Sequence, residues 1–197
     1  MNRYHRRCCR SPGWSAFMAG TVLPRALDGI DLGPRVLELG PGYGASTRPL
    51  ATRARSLTVL EYDPLLAARL RAELGSVRVV TGDATGMGFA AESFSAVACF
   101  TMLHHLPGAA AQDRLFAEAA RVLRPGGVFA GTDSRASLRW RLIHLGDICT
   151  PVDPGTLPGR LGAAGFTRVT VDANERLVRF VAYAPGAEEE ARRGAAA

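Results

Sequence analysis

Short apolar blocks punctuate this chain, each closing on an acid, a glycine or a histidine. They are VLELGPGYG at residues 36–44, SLTVLEYDP at 56–64, VRVVTGDA at 77–84 and SFSAVACFTMLHHL at 93–106. Blocks this short, bounded by turn residues, read as strands of a buried sheet rather than as helices. RVLRPGGVFAGTDS, 121–134, supplies a helix end, a Pro-Gly-Gly turn and a fifth strand, and FTRVTVD and LVRFVAY alternate as two more around residues 173–176. Helical patterns lie between. Asp63 and Pro64 occupy the N-cap and first position of a helix over LLAARLRAEL that Gly75 ends. Pro107 or Gly108 begins another, through Arg124, with Leu115, Ala119 and Val122 on one face. Asp153 is placed to cap a short helix in DPGTLPGRLGAAGF, whereas residues 134–152 have no clean period. Strands alternating with helices predict an α/β fold, a parallel sheet doubly wound with helices on both faces.

The amino-terminal segment follows a different rule. A basic YHRRCCR precedes WSAFMAGTVL, an order that imitates the charged and apolar regions of a signal peptide. Yet Trp14, Phe17, Met18, Thr21 and Val22 recur at helical spacing, and no small-x-small cleavage site precedes Pro24. The pattern predicts a basic arm and an amphipathic cap helix over residues 1–32, a main domain over 33–184, and a frayed tail over 185–197, where GAEEEARRGAAA lacks apolar content.

Composition narrows the class. With 197 residues, 47% of them hydrophobic, the chain fits one domain with a real core. No apolar run nears the roughly 18 residues of a membrane span. The 24 basic side chains are all arginine and give a net charge of +6, dispersed in a way that suits solubility better than an anionic partner. Cys8, Cys9, Cys99 and Cys149 form no metal spacing and read as reduced thiols of a cytoplasmic protein.

The candidate chemistry begins where the first strand ends. Gly40, Gly42 and Gly44 let the backbone turn tightly and approach a ligand, and the helix opening at ASTRPLATRAR points free N–H groups at the same place. Gly40, Gly42 and Ala45 also satisfy the dinucleotide fingerprint, and Glu61 lies 21 positions after Gly40, where a ribose-binding acid belongs. A nicotinamide enzyme therefore has to be weighed.

The order of the motifs weighs against it. Glu38 before the glycine loop, GPGYG, strand-end Glu61, GDA at 82–84, HHL after the fourth strand and LRPGG at 123–127 together resemble the Rossmann-like, class I S-adenosylmethionine-dependent methyltransferases. The resemblance covers residues 33–183. It implies a mostly parallel sheet of about seven strands ending in an antiparallel pair, with an N-terminal helical cap over the cofactor pocket. It also implies S-adenosyl-L-methionine as cofactor. Glu38 is then expected under the glycine loop near the methionyl ammonium, Glu61 on the ribose hydroxyls, Tyr62 beside the adenine, and Asp83 and Ala84 at the adenine amine. Phe100 lines the same site. Ser95 departs from the family pattern, which carries Asp at that place. Each acid also has a plainer reading: Glu38 as a buried loop support, Glu61 as an exposed strand-end acid, Asp83 as a turn former.

His104 and His105 are candidate bases, substrate-shaping groups or structural residues. Their adjacency, and the distance to His144 along the chain, argue against a metal. The stretch after strand four, Phe100 to Leu103, lacks the amide, prolines and phenol that grip a nucleobase. It predicts instead an apolar wall of Phe100, Met102 and Leu103, with Trp14 and Trp140 as lids, suited to a small, partly apolar organic acceptor. The alternatives are an RNA methyltransferase approached through the basic arm, an NAD(P)-linked oxidoreductase, and a cofactor-binding protein without turnover.

Overall fold

The computed structural model describes residues 2–187. The expected frayed tail, 185–197, lies outside the described residues from position 188 onward.

Seven strands form one sheet in the order β3-β2-β1-β4-β5-β7-β6. They are β1 (Arg35–Leu39), β2 (Ser56–Glu61), β3 (Arg78–Thr81), β4 (Phe94–Phe100), β5 (Leu123–Ser134), β6 (Thr167–Ala173) and β7 (Leu177–Tyr183). The first five run parallel, and β7 enters antiparallel between β5 and β6. Every residue of β4 is buried, as a central strand covered on both faces requires. The sheet therefore has the architecture expected from the sequence, including the antiparallel closing pair. Chain direction reverses sides at β1, which pairs with both β2 and β4, so the crevice at the carboxyl ends of these strands is where a ligand of such a sheet belongs.

Helices cover both faces. They are α4 (Thr47–Ala51), α5 (Pro64–Glu73), α6 (Ala109–Val122), α7 (Leu138–Ile143) and α8 (Leu157–Ala163). Asp63 caps α5 as predicted, its carboxylate accepting from the N–H groups of Leu65 and Leu66, with Pro64 in the first turn. Leu115, Ala119 and Val122 of α6 are fully buried together with Phe116. Ser95, the departure from the family pattern, is absorbed structurally. Its hydroxyl accepts from the N–H of Arg35 and lies within hydrogen-bonding distance of the carbonyls of Leu32 and Arg35, fastening β4 to the entry of β1.

Four expectations change. Pro125-Gly126-Gly127 is not a separate turn: β5 runs through it, Gly126 at φ +71° absorbing an irregularity that shifts the register opposite Phe94 and Ala96. Asp153 closes a turn by accepting from Gly155 N–H, and α8 starts only at Leu157. The basic arm is itself a helix, α1 (Arg3–Cys9), capped by Asn2. The predicted cap helix is two short helices, α2 (Pro12–Phe17) and α3 (Leu23–Ala26), joined by a π-helical turn, Met18–Val22. That turn holds more residues than an α-turn, so the apolar stripe changes phase. Thr21 swings to solvent, while Met18, Val22, Leu23 and Ala26 are buried.

Candidate functional site

The carboxyl ends of the parallel strands open into a cavity of about 1280 Å³, roofed by α1 and α2 and bounded on one side by α7. The floor is the glycine loop. Gly40, Gly42 and Gly44 all hold positive φ, at +63°, +56° and +77°. A Cβ on Gly40 would collide with the side chain of Met102, and one on Gly44 would stand 2.9 Å from Arg48 and Leu70. A Cβ on Gly42 would meet no protein atom within 4 Å. Two of the glycines therefore exist for packing, and Gly42 leaves its space to the cavity.

Glu38 lies under this loop and is completely buried. The Ser46 hydroxyl donates to Oε1; Oε2 makes no hydrogen bond of good geometry, although the equally unpartnered Thr47 hydroxyl lies near enough to the carboxyl to pull its pKa down. Burial pushes its carboxyl up to about 7, with the Ser46 hydrogen bond pulling the other way. A buried acceptor left without a donor costs free energy unless a ligand supplies one. Glu61, at the end of β2, is also buried, contrary to the exposed strand-end alternative. Its Oε2 accepts from Gly42 N–H and its Oε1 from Asp63 N–H, both at 2.9 Å, so it ties the loop to the strand end. Burial raises its pKa. Each oxygen keeps a lone pair for a further donor. Tyr62 beside it is exposed, and Asp83 makes the turn expected of an Asx residue, its Oδ1 accepting from both the N–H and the hydroxyl of Thr85 while Oδ2 stays open. Glu61, Tyr62, Asp83, Ala84 and Phe100 all border the cavity with Gly40 and Gly42. Gly44 and Glu38 do not border it, Glu38 being fully buried.

Of the apolar wall and lids expected from the sequence, most residues border the cavity and one does not. Phe100, Met102, Trp14 and Trp140 line the cavity, whereas Leu103 is fully buried in the core and forms no part of the wall. The indole N–H of Trp140 is buried without a protein partner. Thr101, at φ +50°, bends the chain out of β4 and is held by its N–H to the Thr132 carbonyl.

The histidines overturn the argument from spacing. His104 is buried, its Nδ1 2.6 Å from Asp133 on β5 and its Nε2 3.2 Å from Nε2 of His144. His144, after α7, points Nδ1 at the Trp140 carbonyl, 2.7 Å away. His5 of α1 reaches Asp147 through Nδ1 at 3.0 Å and stacks on His105. All four histidines of the chain thus meet at one wall of the cavity. Burial lowers the pKa of His5 and His144 and, with the neighbouring rings, takes His105 to about 2. The expectation that His104 and His105 lack a third ligand within reach is therefore corrected. His144 lies 40 residues from His104 and His5 far before both, and the convergence depends on where α1 and α7 fold against the sheet.

Residues 37–131 match the methyltransferase domain family. A ribosomal RNA small subunit methyltransferase A from Chlorobium chlorochromatii is 42% identical over 65 residues, covering 33% of this chain and 25% of that protein. A fatty-acid O-methyltransferase from Mycolicibacterium smegmatis is 37% identical over 107 residues, covering 52% of this chain and 38% of that protein. The chain thus spans well under half the length of the curated relatives it matches. In fold it is similar to an S-adenosylmethionine-dependent methyltransferase from Thermotoga maritima, with a TM-score of 0.72 at 16% identity, covering 93% of this chain and all of the other. No helix among the described residues is long and apolar enough to cross a membrane. The domain match, the strand order and the glycine loop agree: residues 37–131 match a methyltransferase domain, and the fold is that of S-adenosylmethionine-dependent methyltransferases.

Proposed function

We propose that this chain binds S-adenosyl-L-methionine over the glycine loop and transfers its methyl group to a small, partly apolar acceptor held under α1, α2 and α7. The observation that carries the reading is the buried, unpartnered Oε2 of Glu38 beneath a glycine whose Cβ direction opens into the cavity. The donor set fits the cofactor. Glu38 supplies the negative charge for an ammonium, Glu61 accepts from ribose hydroxyls while steering Gly42, and Asp83 Oδ2 accepts from the adenine amine beside Ala84, with Tyr62 and Phe100 bordering the base. The sulfonium supplies a good leaving group and a reactive methyl carbon. The protein's own work is to hold the acceptor in line and keep water out. Phe100, Met102, Trp14 and Trp140 exclude water, and the free Trp140 N–H gives an acceptor molecule one directional contact. His104 and His105 are the nearest imidazoles for moving a proton. Burial and the neighbouring rings take His105 to about 2, which makes it a poor base and suits it to shaping the site rather than to accepting a proton.

The exposed Leu138, Leu142, Leu145 and Ile148 on and after α7 form an apolar rim next to cavity-lining Trp140 and His144, which favours an acceptor with an apolar part. RNA is the second reading, favoured by the ribosomal RNA relative and by the exposed Arg3, Arg6, Arg7 and Arg10 around α1. The sheet closes with an antiparallel hairpin where an NAD(P) enzyme needs a second nucleotide-binding half, which disfavours the oxidoreductase.

Calorimetry tests the cofactor reading. S-adenosylhomocysteine is expected to bind in the micromolar range, roughly −8 kcal/mol, without competition from NADH. Glu61→Ala is expected to weaken it by about 1.5 to 3 kcal/mol, because one charged acceptor and the loop's latch go together. Unchanged affinity removes Glu61 from the site, and tight NADH binding defeats the assignment.

Truncation separates roof from core. Removing residues 1–24 takes buried Met18, Val22 and Leu23 with it, so that cut is expected to destroy the cooperative melt. A cut after residue 10 removes α1 alone, in which only His5 is buried. It is expected to leave S-adenosylhomocysteine affinity within about tenfold while removing transfer to the acceptor. Transfer at the full rate rules α1 out of the acceptor site.

A further inference from the structure

The two facing Nε2 atoms of His104 and His144 pose a chemical question. Nδ1 of His144 can only donate to the Trp140 carbonyl, and Nδ1 of His104 donates to the Asp133 carboxylate. With both rings in the neutral form, lone pairs would face each other across 3.2 Å with no hydrogen between them. Either a proton or a cation belongs in that gap. His5 has the same build, with Nδ1 held by Asp147 and Nε2 left over. One nitrogen from each of His5, His105 and His144 lies within 4.8 Å of the others. Ring rotations of about an ångström bring such a set to the roughly 3.4 Å edge of a tetrahedral zinc site with Zn–N bonds near 2.05 Å.

We propose that His5, His105 and His144 bind a divalent zinc-class cation at the cavity wall, leaving its fourth position open toward the acceptor. Imidazole nitrogens select borderline metals of this kind rather than magnesium or calcium. The surroundings are those a metal-bound histidine needs. A carboxylate, Asp147, stands behind His5 and a carbonyl, that of Trp140, behind His144, each fixing a ring by its far nitrogen. Three protein ligands and an open position are the arrangement of a zinc ion that works on a bound molecule, whereas a purely structural ion is closed by four. The three ligands come from α1, from the segment after β4 and from the segment after α7, so the ion also clasps the roof to the sheet. An acceptor bearing an anionic oxygen or thiolate suits the fourth position, since the cation lowers the pKa of the group it holds. That role rests on the methyltransferase reading, and the binding of the ion does not.

The test uses the full chain stripped with chelator. Titration with zinc chloride is expected to show one ion bound per chain, tighter than about 1 µM. Cobalt at the same site is expected to give the visible absorption of a tetrahedral complex. His5→Ala and His144→Ala are each expected to lose at least about a hundredfold in zinc affinity, and Asp147→Asn about tenfold to a hundredfold. S-adenosylhomocysteine affinity, measured alongside, reports that each variant is folded. Absence of saturable zinc binding overturns the proposal, and so does stoichiometric binding that His5→Ala and His144→Ala leave undiminished. The first outcome leaves the proton-sharing chain Asp133–His104–His144 in possession of the gap. A chain that binds S-adenosylhomocysteine but no zinc fails this inference alone. One that binds zinc but no S-adenosylhomocysteine fails the cofactor reading alone.

Discussion

Gly42→Val is expected to lower S-adenosylhomocysteine affinity by at least about a hundredfold, or 2.7 kcal/mol, with most of the fold intact. Two causes act together. The backbone there sits at φ +56°, a region a β-branched residue enters at a cost of roughly 1 to 3 kcal/mol. The new side chain also points where no protein atom lies within 4 Å, into the volume assigned to the cofactor. Gly42 N–H is one of the two bonds holding Glu61, so any backbone relaxation that relieves φ also loosens the acid. Circular dichroism checks the fold and calorimetry the binding. A variant that binds normally reduces the loop to a turn.

Glu38→Gln is expected to make the cofactor-free protein more stable at pH 8 while weakening cofactor binding. Burial raises the folded-state pKa of Glu38 from 4.5 to about 7. Between those values the unfolded chain has given up its proton and the folded chain keeps it, so the folded state binds more protons and stability falls as pH rises. The loss, relative to pH below 4.5, reaches roughly 3 kcal/mol once pH passes 7. Glutamine has no such term. Thermal melts of the two proteins should converge near pH 4.5 and separate steadily up to pH 7. A cationic group against Oε2 lowers the pKa again, so S-adenosylhomocysteine should bind the parent more tightly as pH rises and the variant with a flatter profile. Parallel melts across this range show that Glu38 is not carrying the charge. Equal affinities at pH 8 show that it does not meet the ligand's ammonium.

The strands and the cofactor loop were legible because their causes are local. A buried strand needs consecutive apolar residues, a turn at positive φ needs glycine, and a helix start needs a cap, so β1, Gly42 and Asp63 follow from neighbouring letters. Glu61 was legible as a site residue, yet its grip on Gly42 N–H follows only from the pairing of β1 with β2. The path of β5 through Pro-Gly-Gly was not legible, because turn chemistry and a strand irregularity use the same residues. Leu103 was placed in the acceptor wall on hydrophobicity alone, which cannot tell the core from a cavity lining. The meeting of His5, His104, His105 and His144 was the least legible feature. It depends on α1 folding back over the sheet and α7 descending beside it, and neither leaves a local signature.

The π-helical turn at Met18–Val22 sets the amino-terminal roof and the buried anchor at a fixed angle to each other. Gly20 within it is exposed, with open space where a Cβ would stand. Loss of one residue there restores ordinary α-helical winding and turns everything before it by about 100°. The anchor of Val22, Leu23 and Ala26 keeps its seat, and the glycine loop is untouched. His5, Trp14 and Phe17 rotate off the cavity as a unit. In a lineage of such chains, length change at this one joint re-indexes which side chains face the cavity while the glycine loop keeps its geometry.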